Sequence, residues 1–448
     1  MNTATPSSRA PRPAESRARR VGRHLRGTAL DTRPLSVPAY RRLLAGQALS
    51  FIGTTVTEVA VPLQVYRLSH SSLYVGLTGL VGLVPLIVFG LYGGAIADRV
   101  DRRLLYLWSA SVTWAVTLAL FAQALLGVDS VGLLFVLVAV QTAAFAVSSA
   151  ARGAIIPRVV PAGMVPAANT LNFAAGNLGQ VAGPLLAGLL VSLPHGFALA
   201  YGADAVLFTA LLYSTLRLPP VPAAKTATAE GPGGSGMRLV WEGLRFIGSH
   251  PVLWMSFAVD IAAMVLAMPT ALFPEAAATR FHGGAGLLYS SIAIGSIAAA
   301  AVSGWIGKVR RQGLALTVAA ATWAAAVALA GTARSLWLAV ALLIFAGAAD
   351  LVSAVYRQTI LQSYAPDEMR GRLQGVFTVV VAGGPRLGDL RAGAAASAAG
   401  LTFAWSGGAA LCLVLVLVGG RAVRPFWRYA TAPPAAAEEP PVPEPRAA

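Results

Sequence analysis

Stretches of uninterrupted apolar sequence about as long as a bilayer is thick recur through this chain. Tyr74 to Ala97, Leu104 to Leu126, Val131 to Ala151 and Leu401 to Gly420 each approach the roughly 20 residues that a spanning helix needs. Inside hydrocarbon every backbone amide must find its partner within the protein, so a run of this length has the helix as its solution. Composition agrees: 56% of the 448 residues are hydrophobic and 12% charged, too few polar groups to cover a soluble body of this size. Spans starting near residues 41, 74, 104, 131, 164, 197, 251, 286, 313, 336, 371 and 401 predict an all-α membrane protein of twelve transmembrane helices.

A net charge of +16 would suit nucleic acid, but the placement of the charge gives it another meaning. With the N-terminus inside, Arg67, Arg280 and Arg334 are the basic residues, of 34, that fall in outside loops, and Arg357, Arg386 and Arg391 fall within spans. The remainder lie on the inside, the bias that orients membrane proteins. The expected partner is therefore the lipid bilayer, with no nucleic acid. An even span count predicts a multi-pass protein of the cell membrane with both termini cytoplasmic. Cys412 is the single cysteine, so no internal disulfide is available. His24, His70, His195, His250 and His282 are scattered rather than clustered as metal ligands, and "GPGGSGMR" lacks the lysine of a phosphate loop. Neither an ATP-driven pump nor an enzyme with a metal or cofactor is expected.

The chain divides six spans and six. Between them "LPPVPAAKTATAEGPGGSG" (218–236) reads as a flexible linker. "RGAIIPRVVPAGM" (152–164) resembles "RQTILQSYAPDEM" (357–369), with Arg152 matching Arg357, Pro161 matching Pro366 and Met164 matching Met369. "GPLLAG" from Gly183 is echoed by "GPRLGD" from Gly384, and Pro62 by Pro269. Matches in chain order indicate a duplicated six-helix unit, an architecture of secondary transporters that bind substrate near the midplane between the halves. The expected organisation is a disordered basic tail (1–39), a first bundle (40–217), a cytoplasmic linker (218–250), a second bundle (251–421) and a Pro/Ala/Glu-rich disordered tail (422–448).

The inside loop between spans two and three carries Gly94, Asp98, Arg99, Asp101, Arg102 and Arg103 in "GAIADRVDRR". It resembles the G-x-x-x-D-R-x-G-R-R/K signature of the major facilitator superfamily, which implies two pseudo-symmetric six-helix bundles. The resemblance makes this loop a gate that latches the cytoplasmic ends of the halves, with Asp101 replacing the usual glycine. The second-half copy, "SGWIGKVRRQG" (303–313), keeps only base and glycine, so Lys308, Arg310 and Arg311 are assigned to orientation. Gly179, Gly183, Pro184 and Gly188 in span five resemble the antiporter signature of exporting members, with Ala187 departing from it. That implies export of a small molecule against protons. From about residue 38 to 425 the chain resembles bacterial enterobactin (catecholate siderophore) exporters and related multidrug facilitators. The resemblance gives a siderophore as leading substrate and macrolide-like drugs as the alternative. A non-transporting membrane scaffold or sensor is the reading from a different class. Thr270 stands where that resemblance leads one to expect a base, and Arg391 where relatives often carry an acid.

A charged side chain at mid-membrane costs about 2.5–3.5 kcal/mol on insertion scales and usually faces a cavity or a partner. The candidates for proton and substrate handling are Glu58, Asp260, Asp350, Arg357, Arg386 and Asp389, with Asp204 in a span expected to be peripheral. Asp350 and Arg357 lie two turns apart on one helix face, and Arg386 and Asp389 are spaced to pair locally. In the superfamily that the chain resembles, spans one and seven line the pathway, so with the repeat Glu58 and Asp260 are expected to face one another across it. A desolvated carboxylate takes up a proton more readily than a solvated one, which makes them the expected proton-responsive pair, with Asp350 third. Arg152 and Arg357 are expected near the cytoplasmic ends, helping to close an inner gate. A monomer is expected.

Reporter fusions test the topology. Fusions after Arg67 and Arg334 should read external, and one within 218–236 internal; an external linker would overturn the assignment.

Overall fold

The computed structural model describes residues 31–97, 100–219, 236–366 and 369–430, and among these the regular structure is helical throughout. Most of both expected tails, residues 220–235 of the linker, and the loop residues Asp98 and Arg99 lie outside the described residues. The helices are α1 (Pro38–Ser69), α2 (Ser72–Ala97), α3 (Arg102–Leu126), α4 (Val131–Val159), α5 (Val165–Val191), α6 (Gly196–Leu216), α7 (Gly236–Ser249), α8 (Pro251–Leu266), α9 (Ala285–Ala301), α10 (Gln312–Thr332), α11 (Leu336–Tyr364), α12 (Arg370–Ala399), α13 (Gly408–Ala422) and α14 (Arg424–Trp427).

Among the described residues, ten stretches are long and apolar enough to cross a membrane. Two expected spans stand outside that set: α9 is apolar but 17 residues long, and α12 has 30 residues but carries Arg386, Asp389 and Arg391. Three boundaries differ from the sequence reading. The linker 218–250 contains α7, and Ile247 of α7 is buried against the neighbouring helices. The C-terminal tail begins later than 422, because Phe426 is wholly buried and Tyr429 packs on Tyr364. At the other end, Arg33–Ser36 forms a 3-10 turn that leads directly into α1.

Helices α1 to α6 pack chiefly among themselves: α1 against α5 and α6, α2 against α4, α3 against α4 and α6. Helices α8 to α13 do the same, with α11 against α9 and α10, α13 against α10, and α12 against α8. Buried apolar residues follow the same division, one large cluster from Ile247 to Phe426 and three smaller ones built mainly from residues before 220. Two extensive contacts cross between the sets, α2 with α12 and α5 with α9.

Glycine makes both crossings close. A Cβ on Gly188 of α5 would sit 2.9 Å from the Cα of Gly286 on α9. On α2, Gly76 lies against the backbone of Asp389 and Leu390, and Gly79 against Arg386. Gly393 of α12 lies in turn against the carbonyl of Ser72. Small residues of this kind let backbones approach without a hydrophobic driving force. The zipper has a direction. It runs where α1 ends and α2 begins, and there Ser72 donates to the carboxylate of Glu275 and Ser71 meets Ser397. Toward the other end the seam parts: Gly90, about four turns beyond Gly76, faces open space, and Ile297, three turns beyond Gly286 on the same face of α9, is exposed. The open end is that of the basic loop after α2.

Candidate functional site: charged side chains around a broken helix

At the start of α3, Asp101 accepts from the amides of Arg103 (2.8 Å) and Leu104 (3.3 Å). It is an N-cap with φ −59, so the position that the superfamily gives to glycine needs none here, and the acid satisfies amides that would otherwise lack acceptors. Arg103 donates to the carbonyl of Leu216 at the end of α6 (2.7 Å), tying the loop to its own helix set. Gly94 lies in the last turn but one of α2.

The antiporter-like residues divide between two neighbours. Gly179 and Gly183 receive α1, where Phe51, Ile52 and Thr55 press against them, and Thr55 donates to the Gly179 carbonyl (2.8 Å). Gly188 receives α9, and Gly286 sits against the carbonyl of Pro184. One helix, α5, thus carries a contact within its set and a contact across the seam.

Asp204 is fully buried and accepts from Thr57 (2.6 Å) on α1 and Thr117 (3.4 Å) on α3. Gly53 of α1 fits directly over it. Its role is to join three helices. Nearby, Gln64 and Gln123 exchange amide hydrogen bonds while Tyr201 donates to Gln64 (2.7 Å), a polar belt on the same three helices.

The pairing of Glu58 with Asp260 is replaced by two mixed pairs. Asp260, 1% exposed, forms an ion pair with Arg357, 6% exposed. Arg357 also lies 3.8 Å from Asp350, whose side chain is 45% exposed. The two-turn spacing of Asp350 and Arg357 therefore does place them together, and Arg357 is drawn into the protein. Burial explains it, because a guanidinium in low dielectric is held where a carboxylate offsets its charge. One arginine between two carboxylates leaves a surplus negative charge. A pocket of about 440 Å³ adjoins this group, lined by Arg357, Gln358, Thr359 and Phe377 among others. Glu58 is exposed and interacts electrostatically with Arg386 across the seam.

The local pairing of Arg386 with Asp389 gives way to a different task for Asp389. The eighth helix breaks after Leu266 and resumes as a 3-10 turn at Thr270–Leu272. A break in the membrane frees carbonyls before it and amides after it. Arg391 of α12 takes the carbonyls, donating to Val265 (3.0 Å) and Leu266 (2.7 Å), and also to Ala404 (3.0 Å). Asp389, two residues away, accepts from the Ala271 amide (3.0 Å) and the Thr270 hydroxyl. The cation sits at the negative end of one helix and the anion at the positive end of the next, each where the helix dipole favours it. Thr270 and Arg391, the two departures noted in the sequence, are parts of this one joint. Pro269 and the nearby Pro274 signal the break; nothing in the sequence signals which helix caps it. In the first half, α1 runs unbroken through Pro62. At the positions of α5 that match Arg386, Asp389 and Arg391 stand Leu185, Gly188 and Leu190, so no equivalent caps exist there.

Among the described residues no group of three or more His, Cys, Asp or Glu is placed to hold a metal ion.

The model of the transmembrane secretion effector family matches residues 30–446. An enterobactin exporter, EntS, of Citrobacter koseri is 27% identical over 357 residues, covering 78% of this chain and 83% of its own. One from Escherichia coli is 27% identical over 401 residues, covering 86% and 94%. Among solved structures, the nucleoside transporter NupG superposes with a TM-score of 0.68 at 14% identity, covering 87% of this chain and 100% of its own. A bacterial homologue of the human lysosomal transporter Spinster gives 0.66 at 16%, covering 89% and 97%. At such identities the structures establish the fold.

The helix joint yields a stability prediction. Arg391→Met removes the partner of three carbonyls and should cost roughly 4 kcal/mol or more, at about 1.5–3 kcal/mol for each hydrogen bond to a charged group. In detergent the apparent Tm should fall by several degrees, with Arg391→Lys intermediate. Arg386→Gln should leave Tm close to the parent's, and equal losses in both would contradict the assignment. Matched along nearly its whole length, the chain belongs to the transmembrane secretion effector family of the major facilitator superfamily, and is a multi-pass membrane transporter rather than an enzyme.

Proposed function

We propose that the protein is a secondary active exporter of a small molecule, driven by the proton gradient, with a catecholate-type siderophore as leading substrate. It acts as a monomer of twelve spanning helices in two six-helix bundles, 40–217 and 251–421, in the cell membrane. The tails and the 218–250 segment lie on the cytoplasmic side, where the positive-inside bias puts the open end of the seam. The observation that carries the reading is the seam itself. Its two helix crossings are zipped at one end and parted at the other, and charged side chains from both helix sets face each other between them. That geometry suits a carrier that offers one site to alternate sides.

Gly94, Asp98, Arg99, Arg102 and Arg103 serve in this reading as the latch that closes the parted end. Gly179, Gly183, Pro184 and Gly188 give α5 its two close packings. Glu58, Asp260 and Asp350 are the candidate proton carriers, and Asp260 and Asp350 share Arg357. The siderophore leads because relatives at 27% identity are named enterobactin exporters. Efflux of amphipathic cations such as macrolides is the second reading. The surplus carboxylate at Asp260, Arg357 and Asp350 favours it, since a proton or a cationic group offsets that charge equally well.

A deletion strain and its complemented parent distinguish these readings. Under iron limitation the deletion should secrete less catecholate, and complementation should restore it; the drug reading instead predicts raised macrolide susceptibility. A complementing gene with Asp98→Asn should insert normally yet restore only a fraction. If neither secretion nor susceptibility follows the gene, both export readings fail.

A further inference from the structure

The arginines within the helical body differ in what holds them. Arg391 has three carbonyls, and Arg357 has Asp260 and, more distantly, Asp350. Arg386 is half-buried on α12, and its guanidinium makes no hydrogen bond or ion pair with a described residue. Five donors left without acceptors in a low-dielectric setting are costly. The surroundings nevertheless accommodate the side chain with care. It reaches across the seam to α2, where a Cβ on Gly82 would fall on its Nη1 and one on Gly79 would crowd its backbone. The Thr142 hydroxyl of α4 lies 3.1 Å from that same Gly82 position.

The charged groups around it are accounted for. Asp389 on the same helix is engaged by Thr270 and Ala271. Asp204, which interacts electrostatically with Glu58, is engaged by Thr57 and Thr117. Glu58 on α1 is the remaining anion. It is exposed, makes no hydrogen bond to a described residue, and offsets Arg386 at a distance beyond that of an ion pair.

We infer that Arg386, with Glu58 opposite as its resident counter-charge, is where the seam takes up the paired oxygens of an organic acid. The inference rests on the transporter reading above for the seam's role. A planar guanidinium presents two parallel N–H groups, which match the two oxygens of a carboxylate or a catecholate. The carboxylate of Glu58 stands close enough to offset the arginine while the site is empty, yet is not bonded to it, so an incoming acid meets donors that are already free. Gly79 and Gly82 keep the guanidinium within the seam, where ligand contact involves both helix sets at once.

Binding to the full-length protein in detergent tests this, with enterobactin, benzoate and the cation tetraphenylphosphonium as probes. Arg386→Gln should weaken the acids by about tenfold or more, the loss expected when a bidentate charged contact disappears. Arg386→Lys should recover part of it. Gly82→Ala, which keeps the charge but displaces the fork, should weaken acids as well. Glu58→Gln should tighten acid binding several-fold and weaken the cation, a sign that loss of packing does not produce. Enterobactin binding with little benzoate binding would identify the catecholate as the ligand, and the reverse a carboxylate; either upholds the site. The inference fails if the parent protein binds neither acid, if Arg386→Gln binds them as the parent does, or if Glu58→Gln weakens them. Movement of the same probes in proteoliposomes is read separately. Arg386-dependent binding without movement would remove the transporter reading and leave the site standing.

Discussion

A backbone amide in hydrocarbon has no water to turn to, and most of what this protein does with its few charges follows from that. Where the helices run unbroken, their own ladders satisfy the backbone and the side chains are free to be apolar. Where the eighth helix breaks, the freed groups need partners, and a single neighbouring helix supplies them with Arg391 on one side and Asp389 on the other. The joint couples the segment beyond the break, which carries Glu275 against Ser72, to the helix that zips onto α2.

The same economy sorts the remaining ionisable groups. Asp204 binds three helices together and Arg391 closes a helix end, so neither is spare. Asp260 and Arg357 neutralise one another deep in the second half, with Asp350 left over. Glu58 and Arg386 alone among these face each other from opposite helix sets without hydrogen bonds to described residues. A charge that has been brought into the membrane and is not used to hold structure is the strongest available sign of a ligand or a proton.

Much of the architecture was legible because it follows from period and solvent: long apolar runs mean spanning helices. The in-membrane charges were legible as a set for the same reason, since each is costly. Their partners were not. The superfamily resemblance and the repeat together set Asp260 opposite Glu58, but pairing depends on which helix rotates toward which, and Asp260 pairs with Arg357 instead. Arg386 and Asp389 had the spacing of a local pair; the amide of Ala271, freed by a break near Pro269, competed for the carboxylate and won. Asp101 departed from its signature because an N-cap does there what a glycine would do elsewhere. Helix α7 was hidden by the Pro/Gly-rich sequence just before it.

In the transport cycle proposed above, the two crossings, α2 with α12 and α5 with α9, act as one rocking seam whose ends open in turn. Spin-label distances test it directly, in a background with the lone cysteine removed by Cys412→Ser. One pair, at Asn169 and Ala300, reports the parted end; the other, at Ser192 and His282, reports the zipped end. Lowering the pH or adding substrate should shorten the first distance and lengthen the second in step, so that each label pair shows two populations that exchange reciprocally. Distances that stay fixed at both ends, or that change at one end without the other, would contradict the account.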